Sequence, residues 1–266
     1  MQLVEGLALA AAITYVAYVA RSLTRSGALA AICVGTMVFG LGGWQWAILL
    51  LSFFASSSLL SQTFRKPGRT QEKYAKGSRR DAGQVLGNGG IAAIWVLIHA
   101  AFPHSDLPWL GFSGALAAVT ADTWATEIGA LSRSAPRLIT RLRTRVEAGT
   151  SGGVSPLGVL AAVGGAGLIA VIAALATAVP WAWAWLVVLL AGCSGSILDS
   201  VLGATAQCIY VCQADGAQTE QHPLHHCGSS TVYLRGWRWL NNDWVNGLCG
   251  AFGSLLSCGL ALALGA

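Results

Sequence analysis

The chain has 266 residues, of which 55% are apolar and 10% are charged, and its mean hydropathy is +0.60. Because a soluble domain carries about a quarter charged residues, this composition excludes an ordinary soluble globular protein. The net charge of +5 suits anionic lipid headgroups, and we do not interpret it as a sign of nucleic-acid binding. The scattered cysteines are odd in number, which argues against a disulfide framework.

A helix needs about 20 predominantly apolar residues to cross the hydrocarbon core of a membrane. Eight segments meet this requirement, at about 3–20, 27–43, 45–62, 86–102, 110–131, 157–179, 182–204 and 244–264. No short pattern of n-region, h-region and A-x-A site precedes the first segment, so we expect it to be a retained helix rather than a cleaved signal peptide. The sequence therefore predicts an all-α, polytopic membrane protein that forms a single transmembrane domain over residues 1–266.

Charge divides the connecting segments into two sets. All 16 Lys and Arg residues lie in the segments 21–26, 63–85, 132–153 and 205–243, whereas the alternate turns have none and are rich in Trp. By the positive-inside rule, we expect the basic segments to be cytoplasmic, in a cell inner membrane, and both termini to lie on the other side. The alternative, that these charges fix the topology and have no further role, stays open.

The fifth segment contains two carboxylates, Asp122 and Glu127, within the string ALAAVTADTWATEIGAL. Ionisable side chains are costly inside a membrane and are usually functional there. The two residues are five positions apart, about 140° around a helix, so we expect them to flank a shared cavity rather than to meet at one atom. A buried hydrogen bond between helices is the alternative role for Asp122.

Other polar residues fall at the same predicted depth, towards the cytoplasmic side of neighbouring segments. They are Asn88 in the fourth segment, Asp199 in the seventh, and Asn242, Asp243 and Asn246 in the eighth. Because acids and amides from several segments share one depth, we expect a polar site at the cytoplasmic interface.

Two loop motifs supply complementary groups. Lys76, Arg79 and Arg80 precede the fourth segment, and a Gly-rich string containing Thr150, Ser151, Gly152 and Gly153 precedes the sixth. Adjacent glycines can expose backbone N–H groups as an anion cradle, and a helix N-terminus adds a favourable dipole. Carboxylates opposed by cations favour phosphate chemistry supported by Mg²⁺. A transporter that uses intramembrane acids is the alternative.

Six motifs in order carry a resemblance to a known family. They are SSSLLSQ at 56–62, GQVLGNGG at 83–90, ADTWATEIGALS at 121–132, GTSGGVSPLG at 149–158, GSILDSVLGATAQ at 195–207 and WLNNDWVN at 239–246. From about residue 26 onward, the chain resembles the integral-membrane family that includes the plant plastid phytyl-phosphate kinase of the vitamin E pathway. Many members of that family were catalogued only as a membrane domain of unknown function.

The resemblance implies transfer of a phosphoryl group from CTP or another nucleoside triphosphate to an isoprenyl monophosphate in the membrane. It assigns site roles to Asn88, Asp122, Glu127, Thr150, Gly152, Gly153, Asp199, Gln207, Asn242 and Asp243. A phosphate monoester has a second pKa of about 6, so it attacks already ionised and needs no general base. We therefore expect Asp122, Glu127 and Asp199 to hold Mg²⁺, and Lys76, Arg79 and Arg80 to neutralise phosphate oxygens.

The last cytoplasmic segment departs from a pattern of some relatives, which carry C-x-x-C-G followed by H-x-C-G. Here Asp215-Gly216 stands in place of the second Cys-Gly pair, and His225-His226-Cys227-Gly228 follows. Thiolate, imidazole and carboxylate groups can bind Zn²⁺, so a candidate structural site consists of Cys212, Asp215, His226 and Cys227. A loop without metal is the alternative, and the altered pattern favours it.

Similar small and polar residues recur after four segments, as with Asn88 and Asn242. This recurrence suggests that segments one to four and five to eight form two parallel four-helix repeats. Besides the kinase and the transporter, two functions stay open: a CTP-dependent cytidylyltransferase that acts on a lipid phosphate, and a scaffolding membrane protein.

Overall fold

The computed structural model describes residues 1–64, 79–177 and 179–264, which contain eight α-helices. They are α1 (Gln2–Val19), α2 (Arg25–Met37), α3 (Trp44–Thr63), α4 (Ala82–Ala101), α5 (Leu107–Gly129), α6 (Pro156–Leu175), α7 (Trp181–Thr205) and α8 (Asn242–Ala263). A π-helical turn, Val38–Gly42, continues α2. Each predicted segment overlaps one helix, so the prediction of an all-α, polytopic membrane protein is confirmed.

Among these helices, α5 is distinguished by its position in the bundle. The other seven are long and apolar enough to cross a membrane, and α5 is less apolar. Yet α5 is enclosed by protein, because every residue from Pro108 to Ala121 is buried and the helix packs against α3, α4, α6, α7 and α8. A helix shielded from lipid in this way can carry polar side chains that a lipid-facing helix cannot.

Small residues let α5 approach α7 and α8 closely. A Cβ atom added to Gly114 of α5 would lie 2.6 Å from the carbonyl oxygen of Gly253 in α8. A Cβ atom added to Gly195 of α7 would overlap the side chain of Ala118 in α5. Such contacts allow membrane helices to associate through van der Waals packing, without a hydrophobic driving force between them. They bring the polar ends of the three helices together.

Four helices begin at one end of the bundle, and each has a side-chain N-cap. Thr24, Asp81, Ser155 and Asn241 accept hydrogen bonds from backbone N–H groups in the first turns of α2, α4, α6 and α8. These bonds satisfy amide groups that have no partner within the helix. We call this end, where odd-numbered helices finish and even-numbered helices begin, the basic end. All described Lys and Arg side chains belong to its connections or to the first turn of α2.

Two small antiparallel sheets lie at the basic end, where the sequence predicted loops alone. In one, β1 (Arg137–Leu138) lies between β2 (Arg141–Arg145) and β3 (Gly153–Val154); in the other, β4 (Ile209–Cys212) lies between β5 (Gln218–Thr219) and β6 (Thr231–Arg235). The second sheet is anchored to α7, because the guanidinium of Arg235 donates to the carbonyl oxygens of Gly203 and Ala204 at 3.0 and 3.1 Å. A cation at that position complements the negative end of the helix.

The helix contacts differ between the two halves of the bundle. In its own half, α1 packs against α2, whereas α5, its counterpart in a four-helix repeat, packs against all three helices that follow it. The arrangement as two parallel four-helix repeats therefore stays a prediction, and the packing does not favour it.

Candidate functional site

A polar cavity of about 1200 Å³ opens among the helix ends and loops of the basic end. Most of the residues that the sequence predicted for the site line it: Arg80, Asn88, Asp122, Glu127, Thr150, Ser151, Gly152, Gly153, Asp199, Gln207, Asn242, Asp243 and Asn246. Residues that are far apart in the chain thus share one space.

Of the three predicted cations, the described lining of the polar cavity includes Arg80. Lys76 lies outside the described residues. Arg79 is exposed and is absent from the cavity wall. Arg80 is paired as an extended residue with Leu23, and successive side chains of an extended segment point to opposite sides. Of these two neighbouring arginines, only Arg80 therefore faces inward.

Asp122 of α5 and Asp199 of α7 face each other inside the polar cavity. Their carboxyl groups are in hydrogen-bonding contact, and the Cys249 thiol of α8 donates to Asp199 Oδ2 at 3.4 Å. Glu220, which follows β5, is close enough to interact electrostatically with both carboxyl groups. Neighbouring carboxylates repel each other, so this arrangement requires a shared proton or a bound cation.

Glu127 lies on another side of the same cavity. Ser61 Oγ of α3 donates to Glu127 Oε1 at 2.5 Å, and the Glu127 carboxylate interacts electrostatically with the Arg80 guanidinium. The sequence predicts Mg²⁺ binding by Glu127, Asp122 and Asp199, with Asp122 and Glu127 on different sides of a shared cavity. Among the described residues, these three do not gather within the span of a single ion. The reason is geometric, because positions five apart on a helix point in divergent directions.

Arg80 is held by its backbone and enclosed by aromatic rings. Its N–H donates to the Ser22 carbonyl at 2.9 Å, and its own carbonyl accepts from the Thr24 N–H at 3.0 Å. The guanidinium lies 5.6 Å from the ring centroid of Phe53 and 5.5 Å from that of Phe54. Burial lowers the pKa of Arg80 to about 10, so the side chain keeps its charge at neutral pH. Nη1 is buried without a hydrogen-bond partner in the described part of the chain, which leaves a donor that an anion can satisfy.

The GTSGG string, residues 149–153, forms a tight loop against the end of α7. Gly152 has a φ of +80°, in the left-handed region that favours glycine. A Cβ atom there would lie 2.5 Å from the Ala204 side chain and 2.6 Å from the Ser200 carbonyl oxygen. Both the backbone conformation and the close approach to α7 therefore require glycine at this position.

Backbone hydrogen bonds already occupy two N–H groups of the GTSGG string. The Thr150 N–H donates to the Glu147 carbonyl at 3.1 Å, and the Gly153 N–H donates to the Thr150 carbonyl at 2.9 Å. Only the other backbone N–H groups of the string can therefore donate to an anion in the predicted cradle.

Glu220 is a candidate that the sequence reasoning missed. Its Oε1 accepts hydrogen bonds from Ser151 Oγ at 2.9 Å and from Gln207 Nε2 at 2.7 Å. It thereby joins the GTSGG string and the end of α7 to the pair of aspartates. Glu220 belongs to a polar loop without a recognisable motif. The one feature of the sequence that could have pointed to it is that segment 205–243 contains a single glutamate.

Amide side chains and helix starts form the wall of the cavity on the side of α4 and α8. Asn88 Nδ2 donates to the Gln84 carbonyl at 2.8 Å, and Asn241 caps α8. Gly87 allows α4 to approach α8, since a Cβ atom there would lie 2.6 Å from the Asp243 carbonyl oxygen. These contacts fix the relative position of the two helix starts that carry the predicted asparagines.

A second cavity, which we call the apolar groove, lies among α1, α2, α3 and α4 and has a volume of about 100 Å³. Its apolar lining includes Leu9, Ile13, Val34, Leu50, Phe53 and Phe54. Arg80, Gln84 and Asn88 line both this groove and the polar cavity. The two spaces therefore meet at these three polar side chains.

The sheet β5–β4–β6 contains a separate cluster of metal-ligating side chains. Cys212, Asp215 and Cys227 come together as predicted, but the imidazole that joins them is that of His225 and not that of His226. His225 is buried, whereas His226 is exposed and places Nδ1 2.9 Å from Nε2 of His225. Two adjacent histidines look alike in a sequence, and only the path of the turn decides which one faces inward.

Known proteins match the chain over most of its length. The family described as "Integral membrane protein DUF92" matches residues 8–254. Protein PGR from Arabidopsis thaliana is 35% identical over 230 residues, which are 77% of this chain and 79% of that protein. The uncharacterized membrane protein MJ0933 from Methanocaldococcus jannaschii is 34% identical over 151 residues, 56% of this chain and 60% of that protein. The uncharacterized membrane protein sll0875 from Synechocystis is 27% identical over 235 residues, 85% and 78% of the two chains. No solved structure matches.

Gly152→Ala tests the packing of the GTSGG string on α7. We expect a loss of stability of about 2–4 kcal/mol, because the left-handed backbone strain adds to a steric clash with Ala204. Gly216→Ala is the matched control, since Gly216 has a φ of +71° and open space around its Cβ position. Thermal unfolding of the two purified variants would measure the difference, and equal shifts in Tm would contradict this account of the loop.

Proposed function

The chain belongs to the integral-membrane protein family DUF92, and from that premise we propose that it is a prenyl-monophosphate kinase. In this proposal, the protein transfers the terminal phosphoryl group of CTP or another nucleoside triphosphate to an isoprenyl monophosphate. Mg²⁺ is the cofactor and the reaction takes place at the cytoplasmic membrane interface. The observation that carries the proposal is the meeting of the polar cavity and the apolar groove at Arg80.

An amphiphilic phosphate suits that junction. Arg80 offers a buried positive charge and an unsatisfied donor at Nη1, while the groove beyond it is lined by apolar side chains. A phosphate head on the guanidinium would form charge-assisted hydrogen bonds, and a hydrocarbon tail in the groove would be removed from water. A small polar solute would leave the groove without a function.

The polar cavity has room for a second phosphate substrate. Its volume of about 1200 Å³ is well above that of one phosphate group and exceeds the roughly 300–1,000 Å³ of pockets that enclose drug-sized ligands. The GTSGG string, with Ser151 and the neighbouring Gln207, lines this space. We propose that this part of the cavity holds the triphosphate of the donor.

Asp122 and Asp199 are the residues that would hold Mg²⁺. Their carboxylate oxygens are ligands of the type that Mg²⁺ prefers, and their mutual contact inside the bundle calls for a positive partner. When bound, Mg²⁺ would neutralise charge on the phosphate oxygens of the donor. Glu220 would support this pair from outside, since its hydrogen bonds to Ser151 and Gln207 fix its position.

The chemical step needs no general base from the protein. A phosphate monoester has a second pKa of about 6, so most of it is a dianion at neutral pH. One of its oxygens forms a bond to the terminal phosphorus of the nucleotide, and the bond from that phosphorus to the bridging oxygen breaks. The bridging oxygen leaves with the nucleoside diphosphate, and the other product is the isoprenyl diphosphate.

The residues of the cavity would act by positioning and by electrostatics. Arg80 would neutralise the acceptor phosphate, and Glu127, held by Ser61, would keep the guanidinium in place. Amide side chains such as Asn88 and Asn246 would orient phosphate oxygens at the cavity wall. Enzymes that transfer phosphoryl groups rely largely on these two effects.

The far half of the bundle favours an enzyme over a transporter. The ring of Trp46 lies with its centroid 4.7 Å from that of His99, 5.1 Å from that of Trp109 and 4.7 Å from that of Phe112. Trp109 Nε1 also donates to the Ala173 carbonyl at 3.1 Å. This aromatic packing fills the space beside α5 on the side away from the polar cavity. A transporter requires a site near the midplane that opens to both faces in turn.

We further propose that the basic end faces the cytoplasm of a cell inner membrane. The described Lys and Arg side chains cluster at that end, and positively charged connections are retained on the cytoplasmic side during insertion. In this orientation, the polar cavity opens to the compartment that contains nucleoside triphosphates.

Product identification tests the proposed reaction. We expect the purified protein, incubated with CTP, Mg²⁺ and a series of prenyl monophosphates, to form CDP and a prenyl diphosphate, identified by mass spectrometry. Release of pyrophosphate with a cytidylylated lipid would instead establish a cytidylyltransferase. Flux of a solute into liposomes without consumption of nucleotide would establish a transporter, and either result would refute the kinase.

Asp122→Asn tests the role of the aspartate pair. We expect turnover to fall by about 100-fold or more, because the amide cannot supply the negative charge that would help to hold Mg²⁺ beside the phosphates. Asp106→Asn is the matched control, since Asp106 precedes the same helix at the far end and makes no side-chain cap. Both variants should reach the membrane at wild-type levels, as judged by fractionation. Wild-type turnover in Asp122→Asn would remove Asp122 from the mechanism.

Gly89→Leu tests whether the apolar groove holds the lipid tail. Gly89 lines the groove, and a Cβ atom there would contact Val34 at 3.4 Å, so a leucine side chain would occupy space meant for the tail. We expect the KM for the prenyl phosphate to rise by about tenfold, the equivalent of roughly two buried methylene groups, while the KM for CTP stays the same.

Gly90→Leu is the control for this substitution. Gly90 is the next residue on α4, and its Cβ position has open space around it. The same change of residue type there should leave both Michaelis constants unaltered. Equal effects of the two leucines on the KM for the prenyl phosphate would contradict a tail site in the groove.

A further inference from the structure

The sheet β5–β4–β6 gathers four side chains that have no role in the proposed reaction. Cys212 ends β4, Asp215 follows in the adjoining turn, and His225 and Cys227 lie in the segment before β6. One potential ligand atom from each residue lies within 4.8 Å of all the others. Cys212 and His225 are buried, with 1% and 3% of their surface exposed, while Asp215 and Cys227 lie at the surface.

Three of the six distances within this cluster lie in the range expected for the edges of a tetrahedral metal site. The two sulfur atoms are 3.5 Å apart, His225 Nδ1 is 3.3 Å from Cys227 Sγ, and the same nitrogen is 3.8 Å from Asp215 Oδ2. With metal–sulfur bonds of about 2.3 Å and metal–nitrogen bonds of about 2.0–2.1 Å, the edges of a tetrahedron are roughly 3.3–3.8 Å. A disulfide, by contrast, needs sulfur atoms only about 2.05 Å apart. The cluster therefore has the spacing of a ligand set and not of an oxidised pair.

The neighbourhood of His225 supports the same assignment. Nδ1 points at Cys227 and Asp215, while Nε2 lies 2.9 Å from Nδ1 of His226. A histidine that binds a metal through one ring nitrogen usually donates a hydrogen bond from the other, which fixes the tautomer and the ring orientation. His226 is in position to accept that bond. It thus fits as the support of a ligand rather than as a ligand.

The geometry points to a structural Zn²⁺ site formed by Cys212, Asp215, His225 and Cys227. Two thiolates and an imidazole are ligands that favour zinc over magnesium or calcium, and a carboxylate completes the tetrahedron. Four protein ligands leave no open position for a substrate, which is the arrangement of structural and not of catalytic zinc sites.

The site would fix the shape of the segment that contributes Gln207 and Glu220 to the wall of the polar cavity. β4 begins two residues after Gln207, and β5 leads into Glu220, the residue that bonds to both Gln207 and the GTSGG string. A metal that joins the end of β4 to the segment before β6 would hold these strands together, because the sheet has only two to five residues in each strand. Small units of this kind commonly depend on a metal for their stability.

Metal analysis of the purified full-length protein tests the proposal without any assay of activity. We expect about one zinc per chain, measured by elemental mass spectrometry after equilibration with ZnSO₄ and removal of loosely bound metal. Replacement by Co²⁺ should give the intense visible bands of tetrahedral cobalt and a near-ultraviolet band of thiolate-to-metal charge transfer. A wild-type protein with less than about one-tenth of a zinc per chain, or an octahedral cobalt spectrum, would overturn the site.

Variants identify the ligands. Cys227→Ser and His225→Ala should lose the metal, whereas His226→Ala and Cys208→Ser, which remove a neighbouring imidazole and a buried thiol outside the cluster, should keep it. Asp215→Cys gives a result that does not depend on loss of metal, because a third thiolate should intensify the charge-transfer band of the cobalt form. Loss of zinc from His226→Ala with retention in His225→Ala would overturn the assignment of the histidine, and an unchanged cobalt spectrum in Asp215→Cys would remove the aspartate.

Discussion

The close packing of α5 against α7 and α8 is the constraint on which the rest of the structure depends. Gly114, Gly195 and Gly253 remove the side chains that would otherwise separate the three backbones. This packing buries the first half of α5 and places Asp122 in contact with Asp199. Lipid could not host such a pair, because charges in hydrocarbon are costly unless a partner or water-filled cavity accompanies them. The bundle creates that cavity at its basic end.

The loops at the basic end complete what the helices begin. The GTSGG string packs on the end of α7 at Gly152, and the second sheet is tied to the same helix end by Arg235. Glu220 then joins the two loops through its hydrogen bonds to Ser151 and Gln207. On the other side, Arg80 connects the polar cavity to the apolar groove. A polar surface and an apolar surface thus lie next to each other, as the proposed kinase for a lipid phosphate would require.

The helices, and the end of the bundle at which the polar residues gather, could be predicted from the sequence because both follow from local composition. Apolar length marked the eight helices, and basic connections marked one end, so Asp122 and Asp199 could be expected at a common depth. The sequence could not show which way a side chain points around a helix axis or along a turn. Arg79 and Arg80 are neighbours with opposite orientations, and so are His225 and His226. Glu220 reaches the cavity only through pairing of short strands, which no periodicity in the sequence announces.

A structure of the protein with Mn²⁺ and a non-hydrolysable analogue of CTP would show whether the aspartate pair and the polar cavity bind metal and nucleotide together. Manganese replaces magnesium at oxygen-rich sites and is visible by its anomalous scattering. We expect a manganese peak at the carboxylates of Asp122 and Asp199, with the triphosphate in the polar cavity beside the GTSGG string. A nucleotide bound outside this cavity, or an aspartate pair that stays free of metal while the nucleotide is bound, would contradict it.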